Sequence, residues 1–211
     1  MNRYGTEWHS AYDQPGSHLW HRLRLVQDQL RQALAEAAPG PVRLVSGCAG
    51  EGRDVLGVLG DHPRRMDVRA RLVELDPTNA KAARVAASAA GLDRQIEVVE
   101  ADAGVAASYL GAVPADIVLM CGVFGNISDA DVQATVAALP QLCAPNGFVI
   151  WTRHRRAPDL TPSIRAWCTG AGFRELAFAA PADQTLSVGL YQLTVAPATF
   201  DPDLRYFTFT R

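Results

Sequence analysis

A glycine-rich turn between a strand pattern and a helix pattern constrains the fold of this chain most. Residues 42–47 begin with β-favouring apolar residues, glycines stand at positions 47, 50 and 52, and a helical pattern starts at Asp54. Glycine suits such a turn because its backbone adopts angles that side chains resist, and because it lets a ligand approach the main chain. The order strand, glycine turn, helix predicts the first βα unit of a nucleotide-binding α/β sheet, and with it an adenosine-containing cofactor.

Length, charge and cysteine content narrow the class of protein. With 211 residues and a net charge of −2, the chain has the size of one domain and no general attraction to nucleic acid or to an anionic membrane. Its four cysteines lie far apart without a C-x-x-C pair, which favours a reducing cytoplasm and predicts no metal site. There is no signal-peptide pattern and no apolar run of about 18 residues, the length that spans a bilayer. We therefore expect a cytoplasmic protein whose partner is a small molecule.

Strand and helix patterns alternate along the chain after an initial amphipathic helix at 17–38. A first strand is predicted from Val42 to the glycine turn, and further strands at 69–75, 95–100, 115–121, 147–151, 173–178 and 187–195. The predicted helices are 17–38, 54–59, 77–90, 104–110, 129–143 and 161–168. No helix separates the last two of these strands, so we expect them to be antiparallel, with 205–210 as a further edge strand. The prediction is an α/β fold with a Rossmann-like, seven-stranded, mostly parallel sheet and an antiparallel C-terminal edge. Residues 1–40 would form an N-terminal lid and helix, and 41–211 the core of a single domain.

The glycine turn alone fits two kinds of cofactor. In one register Gly47, Ala49 and Gly52 form a dinucleotide fingerprint whose second glycine is replaced. In the other register Cys48, Gly50 and Gly52 form the G-x-G-x-G of S-adenosylmethionine sites, with the first glycine replaced. A tight turn without any ligand is the third interpretation.

Two carboxylates that end neighbouring strands favour the second register. Glu74 ends the second strand, 22 residues after Gly52, where a carboxylate accepts the ribose hydroxyls of either cofactor. Asp102 ends the third strand, where a carboxylate can accept the adenine amino group while the N–H of Ala103 meets a ring nitrogen. A helix cap is the alternative role for Asp102. A dehydrogenase is disfavoured because the only lysine, Lys81, is not part of a Tyr-x-x-x-Lys pair.

In its motifs 48–54, 73–77 and 100–103, and in the order of its βα units, the chain resembles class I S-adenosylmethionine-dependent methyltransferases across residues 42–195. The resemblance implies S-adenosyl-L-methionine as cofactor, bound by Cys48, Ala49, Gly50, Gly52, Glu74, Leu75, Asp102, Ala103, Cys121 and Gly122. It implies that Gly50 and Gly52 lie along the methionine part of the cofactor and that Cys121 and Gly122 line its methionine and methyl end. The chain departs from the family pattern at Ser46, where an acidic residue is usual, and at Cys48, where glycine is usual.

Residues after the fourth and fifth predicted strands are candidates for the acceptor side. His154 can act as a base, and Arg153 or Arg155 can hold a carboxylate or phosphate of a substrate. Asn126 is a candidate substrate contact, with a role in a turn as the alternative. For the arginines and His154 the alternative is a solvated basic loop.

The N-terminal segment is a candidate lid over the cofactor. We expect cofactor or substrate contacts from its aromatic and basic residues, which are Trp8, His9, Tyr12, His18 and Arg22. Trp20, at helical spacing from Leu23, is expected in the core instead.

Several functions are compatible with these residues. Methyl transfer to a small molecule is favoured, and a non-catalytic S-adenosylmethionine-binding scaffold or sensor is the main alternative. NAD(P) binding and RNA methylation are less favoured hypotheses. The RNA hypothesis rests only on the basic loop 153–156. The oligomeric state is open, and a homodimer that pairs through strand 205–210 is one arrangement the sequence allows.

Overall fold

A seven-stranded mixed sheet organises the chain in the computed structural model, which describes residues 11–210. Trp8 and His9, the two earliest lid candidates, therefore lie outside the described residues. The sheet order is β3-β2-β1-β4-β5-β7-β6. The strands are β1 Val42–Gly47, β2 Val68–Glu74, β3 Ile96–Glu100, β4 Ala115–Met120, β5 Cys143–His154, β6 Phe173–Ala179 and β7 Leu186–Leu193.

The first five strands pair in parallel, whereas β7 pairs antiparallel with both β5 and β6. This arrangement confirms the predicted mostly parallel sheet with an antiparallel C-terminal edge. The strand order changes direction between β1 and β4, and a crevice opens at the carboxyl ends of strands at such a point.

Within residues 11–210, five helices cover the two faces of the sheet. They are α1 His18–Glu36, α2 Arg53–Leu59, α3 Pro77–Ala89, α4 Asp129–Ala138 and α5 Thr161–Gly170, with short 3-10 turns at Ala11–Asp13, Ala106–Tyr109 and Leu139–Gln141. Side chains of α1, α2 and α3 share one apolar cluster with Leu44, and those of α4 and α5 share another with Val45. Successive residues of a strand point to opposite faces, so β1 contributes to both clusters. No helix in the described range 11–210 is long and apolar enough to cross a membrane.

The cap of the first helix follows its sequence signal. Ser17 caps α1 by accepting a hydrogen bond from the N–H of Trp20 at 3.0 Å, as its position before the helix pattern predicts. The helix predicted at 129–143 is shorter, because Leu139–Gln141 forms a 3-10 turn and β5 begins at Cys143.

The predicted edge strand at 205–210 is wrong. The segment instead crosses from the loop after β3 to the loop after β4, forming isolated antiparallel bridges from Arg205 to Val105 and from Phe209 to Ile127. Tyr206 and Phe207 of this segment are buried in one of the apolar clusters, whereas Phe209 is 37% exposed. We call residues 205–210 the C-terminal strap. Because these residues form isolated bridges and not an edge strand, pairing through an edge strand loses its basis, and the homodimer stays a prediction.

Trp20 also differs from expectation. It is half-buried and belongs to neither apolar cluster, and the Arg24 guanidinium lies 5.3 Å from the centroid of its ring. The residues of α1 that face the core are Val26, Gln27, Leu30, Ala33 and Leu34.

Candidate active site

Two adjoining cavities open at the carboxyl ends of the parallel strands. The larger has a volume of about 500 Å³ and the smaller about 150 Å³. They share three lining residues, Arg22, Gly122 and Asn126. Of the ten predicted cofactor residues, nine line the larger cavity: Cys48, Ala49, Gly50, Glu74, Leu75, Asp102, Ala103, Cys121 and Gly122.

Gly52 is the predicted residue that the structure does not bring to the larger cavity. It is buried with φ 73°, and a Cβ there would lie 2.9 Å from Leu72 Cδ1. Glycine is therefore required at this position because α2 starts close against β2, not because a ligand passes it. Cys48 has φ 55° in the same turn, a left-handed conformation that costs a non-glycine residue about 1–2 kcal/mol.

Glu74 connects the end of β2 to the glycine turn. Its side chain is buried, with one oxygen accepting the N–H of Gly50 at 2.7 Å and the other the N–H of Asp76 at 2.9 Å. A carboxylate has about four lone-pair sites, so each oxygen can accept one further hydrogen bond from a ligand in the cavity. Glu74 is therefore positioned to receive a pair of hydroxyl groups.

Asp102 closes a turn and also lines the larger cavity, while its predicted contact with adenine stays a prediction. One oxygen accepts the N–H of Gly104 at 2.8 Å, closing the turn after β3, and the other lies 2.9 Å from Nη1 of Arg205 in the C-terminal strap. The side chain also lines the larger cavity beside Ala103. The ion pair to Arg205 was not predictable, since 103 residues separate the partners along the chain.

The C-terminal strap supplies a wall residue that sequence reasoning missed. Phe209, 37% exposed, lines the larger cavity, and the next residue bonds through its N–H to the carbonyl of Asn126 at 3.0 Å. The ring of Phe207 supports that of Phe209 edge-on, with centroids 5.5 Å apart. The strap therefore holds an aromatic ring at the mouth of the cavity.

Tyr12 reaches the same cavity from the N-terminal segment. Arg22 donates a hydrogen bond to its hydroxyl, and the guanidinium groups of Arg22 and Arg53 each lie 5.6 Å from the centroid of its ring. Burial raises the pKa of Tyr12 to about 12, although the charge of Arg22 opposes the rise. The side chain is therefore a neutral phenol near pH 7, able to position a group but not to remove a proton.

Charged residues from the start of α2 face the same end of the cavity. Arg53 and Asp54 both line it, and burial raises the pKa of Asp54 while Arg22 opposes that rise. Sequence reasoning did not single out either residue. Their position in the sequence, directly after the glycine turn, could have identified them, because the start of a helix at such a turn faces the ligand.

The smaller cavity gathers the acceptor-side candidates Asn126, Arg153 and His154. Asn126 donates from Nδ2 to the carbonyl of Gly122 at 2.6 Å, so it closes the loop after β4 and also lines both cavities. Burial, followed by the charges of Arg153 and Arg156, lowers the pKa of His154. Its imidazole is therefore neutral near pH 7, the form that accepts a proton.

Arg155 does not line either cavity. Its guanidinium donates to the carbonyls of Pro181, Gln184 and Leu186, which fixes the loop between β6 and β7. The predicted substrate contact at Arg155 is therefore wrong, and Arg153 is the arginine of that pair that reaches the smaller cavity.

Within residues 11–210 no group of three or more histidine, cysteine, aspartate or glutamate side chains is placed to hold a metal ion. All four cysteines are free thiols, and three of them are buried. Burial raises the pKa of Cys121 at the wall of the larger cavity, and Asp54 raises it further.

Three features together define the class I methyltransferase architecture. They are the order of the strands in the sheet, the acidic residue Glu74 at the end of β2, and the cavity beside the glycine turn. A sequence profile described as "Putative methyltransferase" matches residues 18–170, and the chain belongs to that family. Tyr12 and Phe209 lie outside the matched range. No curated protein sequence matches the chain.

Solved structures share this fold at low sequence identity. Magnesium protoporphyrin IX methyltransferase from Synechocystis PCC 6803 with bound SAM is 12% identical with a TM-score of 0.67, covering 88% of each chain. An O-methyltransferase family protein from Burkholderia thailandensis is 17% identical with a TM-score of 0.66, covering 85% of this chain and only 57% of that one. An RNA methyltransferase from Salinibacter ruber in complex with S-adenosyl-L-homocysteine is 17% identical with a TM-score of 0.54, covering 84% of this chain and 96% of that one. The magnesium protoporphyrin IX and RNA methyltransferases are named for different acceptors, so the fold does not identify the acceptor.

Proposed function

We propose that the chain transfers a methyl group from S-adenosylmethionine to a small-molecule acceptor. The observation that carries this proposal is the contact between the two cavities at Gly122 and Asn126. One cavity has the size and polar groups for the cofactor, and the other gives a second molecule access to the same point.

The larger cavity fits the adenosine part of the cofactor. The free lone pairs of Glu74 suit the two ribose hydroxyls, and Asp102 with the N–H of Ala103 suits the adenine edge. Leu75, which is 63% exposed, and Phe209 offer apolar surface to the adenine ring from two separate loops. The magnesium protoporphyrin IX and RNA methyltransferase structures contain SAM or S-adenosyl-L-homocysteine, which supports this cofactor.

The other end of the larger cavity fits a zwitterionic amino-acid group. Asp54 can accept from the α-ammonium group of the cofactor, and Arg22 and Arg53 can donate to its carboxylate. The ring of Tyr12 packs against both guanidinium groups, and Asp13 and Glu51 also hold that of Arg53 through ion pairs. In this chain these residues compensate for the replaced acidic residue at Ser46, which is buried in β1.

The cofactor supplies an electrophilic methyl group on a sulfonium, and the protein supplies orientation. We assign Asn126 and Gly122 to the methyl end and neutral His154 to acceptance of a proton from the acceptor. Because α1 contributes Arg22 to both cavities and the segment before it contributes Tyr12, we propose that residues 12–22 act as the lid over a single-domain core. With its four free thiols, the protein suits the cytoplasm.

The test is calorimetry with S-adenosylhomocysteine, NAD and NADP, followed by transfer of labelled methyl groups into a metabolite extract. We expect S-adenosylhomocysteine to bind and the two dinucleotides not to bind. Binding of NAD or NADP without S-adenosylhomocysteine would overturn the proposal. Binding of S-adenosylhomocysteine with no labelled product from any extract would favour the scaffold or sensor instead.

A further inference from the structure

The smaller cavity is lined by cationic side chains without a carboxylate among them. Its charged or titratable lining residues are His18, Arg22, Arg153, His154 and Arg156, and the other lining residues are neutral. The larger cavity, in contrast, mixes Glu74, Asp102 and Asp54 with its arginines. The two cavities therefore differ in the charge of the ligand that they suit.

Arg153 carries a largely buried charge into the smaller cavity. Its side chain is 10% exposed, and its carboxylate neighbour Asp129, at 3.7 Å, is itself 61% exposed. One guanidinium nitrogen donates to the carbonyl of Phe124, whereas Nε is buried and has no hydrogen-bond partner within residues 11–210. A buried charge is costly unless it is paired at close range, so a ligand anion would improve the environment of this side chain.

Arg156 adds a more accessible charge at the same cavity. Its side chain is exposed, and it makes no ion pair with any residue of the described range. Burial is the largest cause of the lowered pKa of both His18 and His154, and the charge of Arg156 lowers both further. Arg22 and His21 also lower the pKa of His18, and Arg153 lowers that of His154 against the opposing charge of Asp159. The arginine charges, which add to the effect of burial on these imidazoles, also attract an anion.

We propose that the acceptor is a compact molecule carrying a carboxylate or a phosphate, which binds in the smaller cavity against Arg153 and Arg156. The smaller cavity has a volume of about 150 Å³, below the roughly 300–1,000 Å³ of pockets for drug-sized ligands. This volume limits how much of the acceptor can be buried. The acceptor nucleophile lies toward Gly122 and Asn126, where the cavities meet. Its lone pair forms the bond to the methyl carbon, the carbon–sulfur bond breaks with its electron pair going to sulfur, and any proton passes to His154. This inference rests on the proposed function for the reaction, but the anion site can be measured on its own.

Calorimetry on protein saturated with S-adenosylhomocysteine tests the anion site. The probes are benzoate, phenyl phosphate and the neutral benzamide, and the variants are Arg156→Gln and the exposed control Arg94→Gln. We expect at least one acid to bind at least about tenfold more tightly than benzamide, because hydrogen bonds to ions are about twice as strong as neutral ones. A tighter phenyl phosphate identifies a phosphate, and a tighter benzoate a carboxylate.

We expect Arg156→Gln to weaken the binding of the acid about tenfold and Arg94→Gln to leave it unchanged. Equal binding of benzamide, no binding of either acid, or equal effects of the two substitutions would overturn the anionic acceptor. These failures are distinguishable from failure of the proposed function, which would appear earlier as an absence of S-adenosylhomocysteine binding.

Discussion

The carboxylate of Glu74 accepts a hydrogen bond from the backbone N–H of Gly50 at 2.7 Å. This bond joins the carboxyl end of β2 to the turn after β1, so one side chain fixes two walls of the larger cavity. Glu100 stands opposite Glu74 in the register of β2 and β3, yet it is exposed and does not line the cavity. The two carboxylates provide a matched comparison within one sheet edge.

Phe209 should strengthen cofactor binding through the strap. Stacking of an aromatic side chain on a base is worth about 1–3 kcal/mol, so we expect Phe209→Ala to weaken S-adenosylhomocysteine binding about tenfold or more in calorimetry. The control is Met66→Ala, because Met66 is 58% exposed and precedes β2 at the opposite edge of the sheet. Equal affinities for the two variants would remove Phe209 from the cofactor site.

Glycine at position 48 should make the protein more stable than alanine does. At ordinary backbone angles glycine is about 0.5–1 kcal/mol less stable than alanine, but a left-handed residue gains about 1–2 kcal/mol when its Cβ is removed. Because Cys48 has φ 55°, we expect Cys48→Gly to be more stable in urea than Cys48→Ala. The comparison Ala86→Gly, in the exposed middle of α3, should show the usual loss of stability. The same loss at position 48 would contradict the left-handed turn.

Tyr12 should act through both its ring and its hydroxyl. Tyr12→Phe keeps the ring between Arg22 and Arg53 but removes the hydroxyl that Arg22 bonds, and we expect a loss of about 1 kcal/mol in unfolding free energy. Tyr12→Leu also removes two cation–π contacts, worth about 0.5–1 kcal/mol each at exposed sites. Urea titrations should therefore rank wild type above Tyr12→Phe and Tyr12→Phe above Tyr12→Leu. Equal stability of the two variants would exclude the ring contacts.

His154 should make stability depend on pH. Its pKa in the folded protein is lowered from 6.5, so the unfolded chain binds this proton first as the pH falls. The stability gained by keeping the imidazole neutral is therefore present above about pH 6.5 and is lost as the pH falls toward the lowered value. We expect His154→Gln to reduce the slope of Tm between about pH 7.5 and 5.5 relative to wild type. An unchanged slope would show that His154 titrates normally.

The alternation of strands and helices along the chain was predictable because apolar runs and glycine turns are local signals. Glu74 and Asp102 were identified for the same reason, since each directly follows a run of strand residues, and both line the larger cavity. The motifs that contain Glu74 and Asp102 resemble those of class I S-adenosylmethionine-dependent methyltransferases. The family match and the fold agree with this resemblance.

Long-range packing explains what the sequence did not reveal. Tyr206 and Phe207 have the same aromatic pattern as an edge strand, and only the tertiary fold buries them. The pairing of Arg205 with Asp102 and the wall formed by Phe209 depend on the strap crossing two loops distant in sequence. Arg153 and Arg155 are alike in the sequence, and only the carbonyls around Arg155 show that it has a structural role.

The most direct test of the account is the affinity for S-adenosylhomocysteine of wild type, Glu74→Gln and Glu100→Gln, measured by calorimetry alongside thermal unfolding. Hydrogen bonds to a charged group are worth about 1.5–3 kcal/mol, so Glu74→Gln should weaken binding about 10- to 100-fold, and Glu100→Gln should bind like wild type. Equal affinities in all three folded proteins would contradict the assignment of the larger cavity to the cofactor.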